Sequence, residues 1–202
     1  QIQFAENRPV RYDRDGLLMI PMTTPEFHGK RDVLSTELMN SNAVVEIAKS
    51  SSPPTAIWTE NGGFDWNGKD PAFIPQLATL TVTAEYGKTI GWQFIDGRDF
   101  SGDIAGDSAG FVINEAAAKI FGFENPVGET VRWTGGWRSK FTNFTIIGVI
   151  KDMVMKSPYS PTVPSVYFLS KEGLNWMNIR INPQLSTAEA LQKIEGVFKK
   201  II

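Results

Sequence analysis

No cysteine occurs among the 202 residues, which excludes disulfides, thiolate nucleophiles and cysteine-ligated zinc. Histidine is almost as scarce. His28 is the single one, and in the run Glu26-Phe27-His28-Gly29 it reads as a surface-loop residue rather than a general base. No H-E-x-x-H, G-x-S-x-G or phosphate-cradling G-x-x-x-x-G-K-[ST] is present, so neither a triad hydrolase nor ATP hydrolysis is expected of this chain. No apolar run approaches the ~20 residues that cross a bilayer, and Gln1 to Arg8 lack the apolar core of a signal peptide. The chain begins at Gln1 without Met and is expected to be processed or cut out of something longer. The formal net charge is -2, with Lys and Arg scattered, so the basic stripe of a nucleic-acid binder is missing.

What remains is an ordinary globular composition, 42% hydrophobic and 21% charged, sufficient for a real core. Leu17 to Ile20 is a short apolar run suited to a buried strand, closed by Pro21 and Pro25. Lys30 to Met39 has helical spacing, with Val33, Leu34 and Leu38 on one side, and Ala43 to Ala48 reads as a second strand, giving a β-α-β unit. Ser50 to Pro75 carries Pro53-Pro54, Gly62-Gly63 and Pro71 without a period, and predicts an irregular surface excursion. Leu77 to Thr83 alternates Thr79, Thr81 and Thr83 against Ala78, Leu80 and Val82, the pattern of a strand with one wet face.

Further on, Phe111 to Ile113 predicts a strand and Asn114 an N-cap. Glu115 favours the dipole of the following helix, and Gly122 is placed to end it. Thr130 to Trp133 and Phe141 to Ile150 predict a hairpin with a long tip, and Ser165 to Leu169 another strand. Met177 to Ile181 alternates, and Ser186 with Glu189 makes an S-x-x-E capping box. It opens an amphipathic helix carried by Leu191, Ile194, Val197 or Phe198, and Ile201. The fold class is α+β with few, short helices.

Two groups of residues invite a chemical reading. Asp96, Asp99, Asp103 and Asp107 stand among glycines, but their spacing is not that of a calcium loop, and a solvated acidic turn is expected. Trp58, Trp66, Trp133 and Trp137, with Phe64 and Phe73, suit either core packing or a partner surface. Trp137, at the hairpin tip, together with Trp58 and Trp66, forms the set of candidate partner contacts. No catalytic, cofactor-binding or metal-binding residue is selected by any motif.

In order and spacing, several runs resemble the MacB-type periplasmic core domain of FtsX-like ABC transporter permeases, in the form common in Bacteroidetes. They are Gly91-Trp92-Gln93-Phe94, Gly97-Arg98-Asp99-Phe100-Ser101, Val112-Ile113-Asn114-Glu115-Ala116-Ala117, Asn125-Pro126-Val127-Gly128 and Ile146-Ile147-Gly148-Val149-Ile150-Lys151-Asp152. The resemblance covers nearly the whole chain. It implies a domain held between two membrane helices on the periplasmic side of the inner membrane, with no enzyme activity of its own and no cofactor. It further implies a separate cytoplasmic ATPase and a second permease copy as partners, with an envelope adaptor protein as a further candidate. Family members have two lobes, which here implies a porter-like lobe from about 1–96 and 170–202, and an inserted, mainly β, sabre-like lobe from about 97–169. The rival expectation is a soluble extracytoplasmic ligand-binding or sensor module, which would show a closed apolar cavity.

Overall fold

The structure is a computed structural model and describes residues 15–57, 59–102, 106–135, 142–153 and 161–202. Its strands are β1 (Leu17–Pro21), β2 (Val44–Ser50), β3 (Glu60–Asn61), β4 (Phe64–Trp66), β5 (Leu77–Val82), β6 (Phe94–Gly97), β7 (Gly110–Asn114), β8 (Thr130–Trp133), β9 (Thr142–Ile150), β10 (Ser165–Leu169) and β11 (Trp176–Ile181). The helices are α1 (Arg31–Asn40), α2 (Tyr86–Ile90), α3 (Glu115–Phe121) and α4 (Thr187–Ile201).

The strands form one hydrogen-bonded path, β1-β11-β2-β5-β10-β7-β9-β8-β4, with β3 alongside β5 and β6 alongside β9. β5 with β10 and β7 with β9 are parallel pairs and the remaining pairs are antiparallel, so the sheet is mixed and the class is α+β as expected.

The β-α-β unit at the start of the chain is split. β11 inserts between β1 and β2, antiparallel to both, with Leu18 opposite Ile179 and Ile179 opposite Ile47. α1 and α4 cover one face of this three-stranded piece. Their Leu34, Leu38, Ala190 and Ile194 pack with Met177, Ile179 and Val44, because each helix has one apolar stripe to remove from water. Two expected stripe residues lie elsewhere. Val33 is 56% and Leu191 43% exposed. Each is one residue, and therefore about 100°, away from an i,i+4 pair that points inward, Leu34 with Leu38 and Ala190 with Ile194.

β2 meets β5 through a single register pair, Ser50 opposite Val82, supported by Ser51 N–H donating to the Thr81 carbonyl. Beyond that junction β5 has no wet face. Thr79 is buried, and its Oγ1 accepts from Asn61 Nδ2 at 2.5 Å, because β3 and β10 flank the strand and apolar clusters cover both of its sides. The excursion between β2 and β5 is likewise not wholly irregular, since Phe64–Trp66 forms β4 against β8.

The helix α3 follows its local signals. Asn114 Oδ1 accepts from Ala117 N–H at 3.0 Å and from Ser165 N–H at 2.9 Å, while Nδ2 donates to the Val163 carbonyl at 2.9 Å. One buried side chain therefore caps the helix and ties it to β10. Gly122 ends the helix at φ 70°, a left-handed conformation that glycine adopts without strain. The capping box of α4 is complete, Ser186 accepting from Glu189 N–H and Glu189 accepting from Ser186 N–H. Among the described residues no helix is long and apolar enough to cross a membrane.

Candidate functional site

The aromatic residues separate into core and unplaced ones. Trp66 is buried, edge-on to Phe121 with ring centroids 5.0 Å apart, and Trp133 stacks on Phe168 at 4.6 Å while its Nε1 donates to the Gly62 carbonyl. Trp66 is 8% exposed and packs within the core, with little of its ring open at the surface. Trp58 and Trp137 lie outside the described residues. Phe73 is half-exposed beside Trp66, with the more exposed Ile74 next to it.

Asp99 and Asp107 are not the solvated residues expected of an acidic turn. Asp107 is 2% exposed and receives Arg98 in a forked arrangement, Nη2 to Oδ1 at 2.7 Å and Nη1 to Oδ2 at 3.3 Å, with Ser101 N–H also donating to Oδ2. Burial alone would raise the Asp107 carboxyl, but the hydrogen bonds from Arg98 and Ser101 outweigh it and hold the group below the usual aspartate range. Asp99 goes the other way. Burial pushes it up to about 6, the Phe100 N–H bond opposes that, and the nearby Asp107 charge adds to it. Asp96 is exposed and bonds its neighbour Gly97 N–H, while Asp103 lies outside the described residues. Among the described residues no three or more carboxylate or histidine side chains gather as metal ligands, and His28 is exposed.

A unit with long-range side-chain ties is formed from elements far apart in sequence, β1, β2 and β11 with α1 and α4. Lys30 Nζ donates to the Ile201 carbonyl at 2.8 Å, tying the entry of α1 to the last turn of α4, where a cation complements the helix dipole. Lys200 pairs with Glu37 at 2.9 Å, and Phe27 meets Phe198 edge-on at 6.3 Å. On β11, Arg180 donates through Nε to the Thr89 carbonyl at 3.1 Å and through Nη1 to the Asp15 carbonyl at 2.7 Å, joining the end of α2 to the approach to β1. Local pattern could not reveal these ties, because their partners are 91 to 171 residues apart.

A family comparison matches residues 7–197 to the MacB-like periplasmic core domain. The chain belongs to that family. It is thus a periplasmic core domain of the MacB/FtsX-like ABC transporter permeases, the extracytoplasmic part of a membrane transporter. A search of curated proteins returns no match. Among solved structures, the fold is similar to the periplasmic region of MacB from Actinobacillus actinomycetemcomitans, with TM-score 0.61 and 16% identity over 98% of this chain and 88% of that one. It is also similar to the extracellular domain of the noncanonic ABC-type transporter YknZ from Gram-positive bacteria, with TM-score 0.57 and 14% identity over 91% and 90% of the two chains. A domain of a putative permease protein from Porphyromonas gingivalis aligns with TM-score 0.53 and 15% identity, covering 79% of this chain and 71% of that one. At these identities the MacB-like likeness is one of fold.

Proposed function

We propose that this MacB-like domain is a mechanical relay, carrying ATP-driven motion of the permease's membrane helices into the cell envelope to export or extract a substrate. The observation that carries the reading is the convergence of β1 and α4 in one packed unit. β1 pairs with β11, β11 leads into α4, and Lys30 returns the end of α4 to α1. A displacement applied to β1 or to α4 is then borne by one packed body, since cores of native density transmit strain rather than absorb it.

In this reading the catalytic work belongs to a separate cytoplasmic ATPase, and the domain acts beside a second permease copy and an envelope adaptor. The split unit is the porter-like lobe and the β7–β10 region the sabre-like lobe. The expected bounds place 1–96 in the first lobe, but Phe64 and Trp66 pack against Phe121 and Trp133, and with the narrow Ser50 to Val82 junction this favours counting them with the second. The rival ligand-binding reading is less well supported. The hollow of about 470 Å³ between α1 and β2 is open to solvent, with Met39 and Ile47 beside Glu46, Lys49 and Glu85 in its lining, and is not the closed apolar cavity that the rival expects.

The test is Arg180→Ala in the full-length transporter, which loosens β11 from α2. Retained ATP hydrolysis with reduced transport supports a relay. Unchanged transport, with the domain shown to be folded, contradicts it.

A further inference from the structure

We propose that the pocket at the start of α1 binds a phosphate oxyanion. This pocket, of about 260 Å³, is lined by Gly29, Arg31, Asp32, Lys49, Lys171 and Leu174. Three cations therefore border it against one carboxylate. The carboxylate is already engaged on the rim, Lys49 Nζ lying 2.5 Å from Asp32 Oδ1, and the Asp32 side chain is 95% exposed.

Arg31 differs from Lys49. Its Nη1 and Nη2 donate to the carbonyls of Leu174 and Met22, at 3.0 and 2.8 Å, neutral acceptors that orient the guanidinium and leave its charge uncompensated. Its Nε is buried without a hydrogen-bond partner and closed to solvent, so Arg31 acts on the pocket through its charge and not through that atom. Lys171 is exposed, and among the described residues no carboxylate pairs with it or with Arg31. Gly29 keeps the rim open, since nothing lies within 4 Å of where its β-carbon would be.

A fixed guanidinium, the exposed ammonium of Lys171 and the ammonium of Lys49 held by Asp32 suit the several acceptor oxygens of a phosphate. The phosphate could be free or part of a glycerophospholipid headgroup. The second source rests on the permease reading, because the pocket adjoins the α1 entry that Lys30 ties to the end of α4. The first source does not rest on it.

The experiment titrates the 202-residue domain with inorganic phosphate against chloride at matched ionic strength, by calorimetry. Saturable binding is expected. Lys171→Glu should weaken it about tenfold, the worth of one charge-assisted hydrogen bond. Asp32→Asn should strengthen it, since the competing carboxylate is gone. Both side chains are exposed, and thermal melting checks that the fold is kept. No binding, or binding insensitive to both variants, overturns the proposal.

Sedimentation with phosphatidylglycerol-containing vesicles separates the sources. Retention that free phosphate competes away and Lys171→Glu abolishes assigns a lipid headgroup. Phosphate binding without retention assigns a soluble phosphate and leaves the permease reading untouched.

Discussion

The carboxylate of Asp99 lies against the bare Cα of Gly87, so that a β-carbon at position 87 would overlap Asp99 Oδ2 and come within 2.6 Å of Trp92 Cε3. A short helix, α2, and the Gly97-Arg98-Asp99 run are thereby brought closer than any side chain would permit. Gly87→Ala is expected to destabilise the domain by about 1–3 kcal/mol, the usual range for overpacking, measured by urea denaturation. An unchanged midpoint would show that Asp99 swings away at no cost.

The same carboxylate gives the domain a pH signature. Its folded value of about 6 stands above the ordinary 3.8, so the folded state holds this proton more tightly than the unfolded chain does. Its contribution is fully present below the ordinary value and is lost as pH rises through about 6. Asp99→Asn should flatten that part of the stability curve and raise the melting temperature at pH above 6 relative to the parent. Parallel curves for the two proteins would contradict the assignment.

Asp107 has the opposite sign. Its value is lowered, so its stabilisation is present above the ordinary aspartate range and fades as pH falls through the folded value. Arg98→Ala strips the buried carboxylate of its partner and should cost about 3–5 kcal/mol at neutral pH. Partial recovery in acid is the distinguishing result, read from thermal melts across pH.

Asn114 does more than cap α3. Its Oδ1 serves two backbone donors, of Ala117 and Ser165, in a place 1% exposed. Asn114→Ala should therefore cost about 2–4 kcal/mol rather than the ~1 of a simple cap, since two buried donors lose an acceptor. Asn114→Asp keeps that oxygen and should recover part of the loss. Equal destabilisation by the two variants, in chemical denaturation, would mean that the Nδ2 bond to Val163 is the dominant contact.

Legibility in the sequence followed the range of the interaction. Asn114, Gly122, Ser186 and Glu189 act within a few residues of themselves, and the helices they bound are where local reading places them. That the two chain ends share one lobe is expected from the family resemblance, not from periodicity, and β1 does pair with β11. β4 was hidden because its strand character comes from pairing Phe64 with Trp133, far along the chain. Thr79 looked wet because a two-residue alternation cannot report that Asn61 covers it. Asp107 looked solvated for a similar reason, since Arg98 reaches it across a loop with no periodic signal. The ties of Lys30 and Arg180 were equally invisible, being contacts of side chains with distant carbonyls.

The relay is tested most directly in the full-length transporter in membranes, with a spin label at Leu191, which is exposed on α4. The distance between labels in the two permease copies is measured by electron–electron resonance, without nucleotide and with ATP bound but not hydrolysed. The account predicts that the distance distribution shifts between the two states, because α4 moves with the membrane helices. Identical distributions, with ATP occupancy confirmed in the same sample, would contradict it.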